Sequence, residues 1–399
     1  MSKPTHRART GRGVIICVAA TTILSLAGSA LPAQAADDDG GGQRDRFGGP
    51  RFTAPQVQPK PDAPSAVPRW DDSAEVEQQV EALLEQMTTE EKADLATGQI
   101  NNNYGFYNNP IDRLGIPAQT MADGPVGVRV ANPTIDRRST QLPSASALAA
   151  SFDLDHARTF GDLLGREAFK TGHNFQLAPS ADITRTPLWG RSFEGFGEDP
   201  LLVGTMAGEV IQGIQKSPVI ATIKHPFLYN QETDRFNVDA RVDERALQEI
   251  YARPFGIGIE KGRPGSAMCA FNKINGVYAC ESPLMNTVLK DQLGLRGFVM
   301  SDYNATPSTV QAANNGLDQE QPGDQGPGSA NFGERLVAAV AAGQVSMERL
   351  DDMARRILRP MIGLGLFDGC RRSVRSTSSA TAHRTPGRRG RHGPAEEQG

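Results

Sequence analysis

Residues 297–306 read GFVMSDYNAT, an apolar run from Phe298 to Met300 that ends on Ser301 and Asp302 and then turns polar. A short run of this kind marks a strand buried on both faces, as in a parallel sheet covered by helices. The pattern recurs along the chain. AQTMADGP (118–125) ends on Asp123, NFQLAPSADI (174–183) on Asp182, PVIATIKHP (218–226) on Lys224 and His225, and SAMCAFNKING (266–276) on Asn272 and Lys273. Helix-like segments such as DLDHARTFGDLLGREAFKTG (153–172) and PLLVGTMAGEVIQGIQ (200–215) separate them. Strand then helix, repeated this often, predicts a parallel sheet closed into a (β/α)8-type TIM-like barrel. No GxGxxG or P-loop stands at a strand-to-helix turn to support a nucleotide-binding open sheet. In a barrel the C-terminal ends of the strands converge on one rim, so five polar strand ends predict one polar mouth.

The body begins at SAEVEQQVEALLEQM, where Val76, Val80, Leu83, Leu84 and Met87 recur at helical spacing behind Ser73 as N-cap. Thr88 and Glu91 are spaced as a capping box for a second helix. The expected domain runs from 73 to 369. Before it, residues 1–35 join Lys3, Arg7, Arg9 and Arg12 to an apolar run and to Ala33-Gln34-Ala35. That is the layout of a secretory signal peptide, and it predicts an extracellular protein. A membrane anchor is the rival reading, but the uncharged run is short for a span. Residues 36–72 are rich in Gly, Pro and charge and read as a disordered linker. From Cys370 to Gly399 the chain carries seven Arg and almost no large aliphatics, a basic tail with no core-forming pattern.

The net charge of −4 hides an uneven distribution. Leader and tail are both basic, so the body between them is strongly acidic and would repel a phosphate backbone. Nucleic acid is not the expected partner, nor is a membrane once the leader is cleaved. Cys269 and Cys280 bracket FNKINGVYA. In an exported protein they predict a disulfide pinning that loop, with two free thiols as the alternative. Their spacing fits no common zinc pattern, and neither a metal nor a cofactor is expected.

Carboxylates, Lys, Arg, one His and amides make up the predicted mouth, without a GxSxG nucleophile elbow. Fixed acceptors and cationic donors suit a polyhydroxylated ligand, whose hydroxyls each give and accept hydrogen bonds. DGPVGVR (123–129), GRSFEGFGEDP (190–200), KHPFLYNQETDR (224–235), MCAFNKING (268–276), GFVMSDYNAT (297–306) and GLDQEQPG (316–323) resemble, in order, the motifs of the glycoside hydrolase family 3 β-glucosidases. The resemblance covers about residues 75 to 369. It implies Asp302 as the nucleophile that forms a glycosyl-enzyme, and sugar contacts from Asp123, Arg129, Arg191, Lys224, His225, Arg235 and Met268. Phe271 and Tyr303 complete the implied site, standing where the family usually carries Tyr and Trp, while Pro226 stands where Phe is usual. The implied ligand is a β-glucoside, an oligosaccharide or a glycosylated small molecule. Arg191 also has a local alternative, pairing with Glu198 or Asp199 in its own loop.

Retaining hydrolysis needs a second carboxyl group as acid, about 5 to 5.5 Å from the nucleophile. The resemblance implies that it comes from an α/β sandwich domain after the barrel, and the sequence departs from the family pattern at Cys370. An out-of-frame reading of a GC-rich gene is the expected origin of the tail, a natural disordered tail the alternative. Three functions follow: an impaired β-glucosidase, a non-catalytic sugar-binding barrel, or a barrel completed by a second polypeptide.

Overall fold

The computed structural model describes Trp70, residues 72–130, 138–324, 326 and 328–367. The leader at 1–35, residues 36–69 of the linker and the tail at 370–399 lie outside the described residues. Trp70 and Asp72, read as linker, belong to the body. Trp70 is buried and donates through its indole N–H to Arg263 O, and Asp72 pairs with the Arg263 guanidinium. An indole with a partner for its N–H is a packing residue even inside a Pro-rich stretch.

In chain order the strands are β1 (Thr97–Asn101), β2 (Tyr104–Asn108), β3 (Gln119–Asp123), β4 (Phe175–Leu177), β5 (Ile220–Lys224), β6 (Asp239–Ala240), β7 (Ser266–Cys269), β8 (Lys273–Ile274), β9 (Val277–Tyr278), β10 (Phe298–Ser301) and β11 (Glu320–Asp324). Eight form one sheet in the order β10-β7-β5-β4-β3-β2-β1-β11, and β6, β8 and β9 form a small separate sheet. The large sheet is joined end to end. Asp318 N and Gln319 N donate to Val299 O at 2.8 and 3.0 Å, and Ser301 N donates to Gln319 O at 2.9 Å. Asp318 secures this seam: its buried carboxylate accepts from Val299 N at 2.8 Å, Lys290 Nζ at 2.8 Å and Arg349 Nη2 at 2.6 Å.

The expected barrel is present, with one departure from strict alternation. Strand β2 runs antiparallel to both neighbours. Only residues 102 and 103 separate β1 from β2, and Asn103 N donates to Asn101 Oδ1. A connection so short cannot house the crossover that a parallel pair requires, so the two strands form a hairpin.

The period of two along each strand explains why charge ends up at the mouth. Phe298 and Met300 of β10, Ile220 of β5, Met121 of β3 and Met268 of β7 point into the barrel and share one apolar cluster. Val299, Ile223, Ala122 and Ala267 point outward into the layer beneath the helices. Two residues beyond Met300, Met121 and Thr222 the inward positions are Asp302, Asp123 and Lys224. The N-terminal ends of the strands are closed by helix Met347–Gly363, whose Arg356 donates to Gly297 O and whose Pro360 sits against Gly265. Helix Ala74–Leu84 packs on it through Val76 and Val80, with Arg355 paired to Glu81. Both expected N-terminal caps form, Ser73 on the first helix and the Thr88–Glu91 box on the second.

Candidate active site

A cavity of about 490 Å³ opens at the C-terminal ends of the strands. All ten residues expected at the site line it: Asp123, Arg129, Arg191, Lys224, His225, Arg235, Met268, Phe271, Asp302 and Tyr303. Gly105, Phe106 and Glu194 join them. Asn272 and Lys273 do not. Asn272 is buried and donates to Phe227 O and Lys273 O, and Lys273 lies over the Tyr278 ring on the small sheet.

Asp302 sits at the floor, its side chain only 10% exposed. Its Oδ1 accepts from Tyr303 N at 2.7 Å, while Oδ2 makes no hydrogen bond. Burial pushes this carboxyl above its ordinary range, and the charges of Lys224 and Arg191 offset only part of the shift. Lys224, with a buried ammonium, donates to Asp123 Oδ1 at 3.0 Å. Burial would raise Asp123 as well, but the charge and hydrogen bond of Lys224 overcome it, and the carboxyl stays well below the usual carboxylate range. Arg129 reaches the other Asp123 oxygen at 4.0 Å from an exposed position.

Arg191 makes a two-pronged ion pair with Glu194, at 3.1 and 2.6 Å, and lies over the Tyr229 ring. The local partner is thus Glu194, not Glu198 or Asp199. Asp199 instead caps helix Pro200–Ile214 through Leu202 N at 2.7 Å. Three residues is the spacing that lets Glu194 meet Arg191 across one helical turn at Ser192–Glu194. Arg235 lies over the Phe271 ring at 4.4 Å and donates to Glu232 at 3.1 Å. Glu232 also accepts from Trp189 Nε1 and Tyr229 O–H, so it ties together the two loops that carry Arg191 and Arg235.

His225 is fully buried. Its Nδ1 lies 2.7 Å from Asp182 Oδ2 and its Nε2 lies 3.4 Å from Asp302 Oδ2. Burial, reinforced by Arg191, holds the imidazole well below its ordinary value, so the ring is neutral. Burial pushes Asp182 up to about 7 against the pull of Ser180 and Arg191. On the opposite wall Phe106 meets Tyr303 edge to face at 5.6 Å. The Cys269–Cys280 disulfide forms, with Cα atoms 5.3 Å apart, and pins the loop that carries Phe271.

Among the described residues no cluster of His, Cys, Asp and Glu is arranged to hold a metal. No described helix is long and apolar enough to cross a membrane. What the mouth offers is a buried carboxyl with one oxygen free of hydrogen bonds, surrounded by fixed cations, acceptors and aromatic faces, an arrangement suited to a polyhydroxylated ligand.

Comparison with known proteins agrees. The Glycosyl hydrolase family 3 N terminal domain matches residues 95–360. The chain is 40% identical over 291 residues to β-glucosidase B of Emericella nidulans, a match that spans 73% of this chain and 34% of that protein. The solved structure of β-glucosidase 3B from Thermotoga neapolitana in complex with α-D-glucose superposes with a TM-score of 0.70 at 35% identity, covering 73% of this chain and 44% of that one. DesR, a β-glucosidase from Streptomyces venezuelae in complex with D-glucose, gives 0.67 at 37% identity over 73% and 38% of the two chains. The chain spans less than half the length of each of these relatives. The family match covers more than half of the chain and the fold superposes on these structures, so the chain belongs to glycosyl hydrolase family 3.

Proposed function

We propose that this protein is a β-glucosidase-type hydrolase that cleaves terminal β-D-glucosyl residues with retention, through a glycosyl-enzyme on Asp302. The observation that carries this reading is the buried carboxyl of Asp302, which has an oxygen without a hydrogen bond and lines a cavity with Asp123, Lys224, Arg191 and Arg235. The Asp302 carboxylate attacks the anomeric carbon as the bond to the leaving oxygen breaks, and water later releases glucose. Asp123 accepts from sugar hydroxyls, and Lys224 and the arginines donate to others. Relatives solved in complex with glucose support this choice of sugar.

The leaving oxygen also needs a proton. The other two carboxylates lining the described cavity, Asp123 and Glu194, are each engaged by a cation and held for accepting. The acid therefore comes from outside the described barrel, from further protein of this chain or from a second polypeptide, and turnover by the barrel alone is weak. An aryl glucoside with an activated leaving group avoids this requirement, because its departure needs little protonation. The leader and the disulfide both support an extracellular setting.

Intact-mass spectrometry after incubation with 2,4-dinitrophenyl 2-deoxy-2-fluoro-β-D-glucoside tests the reading. One fluoroglucosyl group, mapped by peptide sequencing to Asp302, is the expected result. A folded sample that binds glucose and takes up no label would leave a sugar-binding barrel instead.

A further inference from the structure

The chemistry above leaves one contact without a role. His225 Nε2 and Asp302 Oδ2 face each other at 3.4 Å, both buried, and neither makes a hydrogen bond. On the far side of the ring, Asp182 is wrapped by donors: the Ser180 hydroxyl at 2.8 Å and the His225 backbone N–H at 3.3 Å, besides Nδ1 itself at 2.7 Å. A carboxyl so surrounded acts as an acceptor, and the ring hydrogen then belongs on Nδ1. Nε2 is left with a lone pair, facing Oδ2 across a gap longer than an ordinary N–H···O hydrogen bond.

We propose that Asp182 is a positioning residue that fixes His225 in the Nδ1–H tautomer, so that Oδ2 of the attacking Asp302 carboxylate meets a lone pair and not a hydrogen-bond donor. The attack by Asp302 rests on the function proposed above, whereas the tautomer does not. A donor on Oδ2 would stabilise the carboxylate in its resting state and blunt its attack on carbon. Keeping that oxygen bare in a buried site preserves its reactivity.

The arrangement also carries a pH dependence. Asp182, Asp302, Lys224, Arg191 and Glu194 are the charged groups around the ring, with the Tyr229 ring against it at 4.8 Å. When the Asp182–His225 pair takes one further proton from solvent, the carboxyl becomes the donor to Nδ1 and the ring hydrogen sits on Nε2. Nε2–H then donates to Asp302 Oδ2. The pair titrates as a unit, and the labelling rate falls with it as pH drops.

Long-range ¹H–¹⁵N correlation NMR on the full, uniformly ¹⁵N-labelled chain reads the tautomer directly and needs no substrate. His225 is assigned by its loss in His225→Gln, or by elimination with Gln at the other five histidines. At pH 8.5 we expect a pyrrole-type Nδ1 and a pyridine-type Nε2, with Nε2 gaining a proton by pH 5.5. Asp182→Asn, whose amide N–H faces Nδ1, is expected to place the hydrogen on Nε2 at pH 8.5 and to slow fluoroglucoside labelling about tenfold, with a smaller change in glucose affinity. An Nε2 that is protonated in the unsubstituted protein at pH 8.5 overturns the proposal, as does Asp182→Asn that folds and keeps Nδ1–H. If Asp182→Asn does not fold, the pH series on the unsubstituted protein decides alone. The expected tautomer together with no labelling would overturn the glucosidase reading and leave this inference standing.

Discussion

Lys224 Nζ donates to Asp123 Oδ1 at 3.0 Å, joining the inward tips of β5 and β3 across β4. The pair sets a cation and an anion side by side at the mouth, each ready to meet a different hydroxyl. Lys224→Met is expected to weaken glucose binding about tenfold to a hundredfold, the range for one or two charge-assisted hydrogen bonds. Asp123→Asn weakens it similarly and also destabilises the fold by about 1–3 kcal/mol, because it strips a buried ammonium of its partner. The double variant should lose less than the sum of the single losses, as measured by titration calorimetry with glucose.

Arg191 is one of the cations that oppose the burial of Asp302. Arg191→Met removes that cation and leaves Glu194 uncompensated nearby, and both changes favour the neutral acid. The acid limb of the fluoroglucoside labelling profile should therefore move to higher pH, so that the variant loses more rate at pH 5.5 than at pH 8. An unmoved limb would detach Arg191 from the electrostatics of Asp302 and of the Asp182–His225 pair alike.

At the barrel seam, burial would raise Asp318, but the charges of Lys290 and Arg349 prevail and hold it below the usual carboxylate range. A depressed folded-state pKa stabilises the fold above the unfolded value of about 3.9 and loses that contribution as pH falls through the folded value. Asp318→Asn is expected to cost about 3–5 kcal/mol near neutrality, since it leaves a buried Lys290 without its charge partner. In urea titrations the gap between variant and unsubstituted protein should narrow toward pH 3.

Closing a loop of eleven residues, the Cys269–Cys280 bond contributes about 3 kcal/mol in a chain-entropy account. Cys269→Ser with Cys280→Ser, or reduction by dithiothreitol, should lower the melting temperature accordingly. Because the bond pins the loop bearing Phe271, glucose affinity should fall as well, while unfolding stays cooperative.

A Cβ at Gly98 would lie 2.1 Å from Gln321 Oε1. Gln321 cannot easily yield, since its amide donates to Asn108 at 2.6 Å and to Gln319 at 3.0 Å inside the barrel. Gly98→Ala is expected to destabilise by about 1–3 kcal/mol. Differential scanning calorimetry checks it, and a neutral result would show that the amide chain can rearrange.

Strands β5, β7 and β10 were legible because IATIK, SAMC and FVMS are apolar on both faces, the signature of a covered parallel strand. Strands β1, β2 and β11, with sequences TGQIN, YGFYN and EQPGD, carry no such run. Asn108 of β2 and Gln321 of β11 instead place amides inside the barrel, bonded to one another and joined there by Gln319 and by Gln119 of β3. Gln319 Nε2 donates to Gln119 Oε1 at 3.0 Å, and the chain continues through Gln321 to Asn108. A composition rule cannot anticipate a polar interior whose partners lie about two hundred residues apart in sequence. The same gap explains what the site reading missed. Phe106 and Gly105 sit on that hairpin, whose sequence carries no strand signal, and the acidic pair at 198–199 masks Glu194, although its spacing from Arg191 marks it. Asp302, Asp123 and Lys224 were legible because each follows a strand whose inward parity can be counted.

The β10–β11 seam has a bearing on how the chain is made. β10, which delivers Asp302, gains its second neighbour only from residues 318–319, and the ring is complete only when Glu320 meets Thr97. A ribosome releasing the chain from its N-terminus therefore holds an open sheet with two unpaired edges until residues beyond 320 have emerged, and those edges are open to other nascent chains. Synonymous codons that slow translation between 302 and 324 should on this account lower soluble yield while leaving the finished protein unchanged.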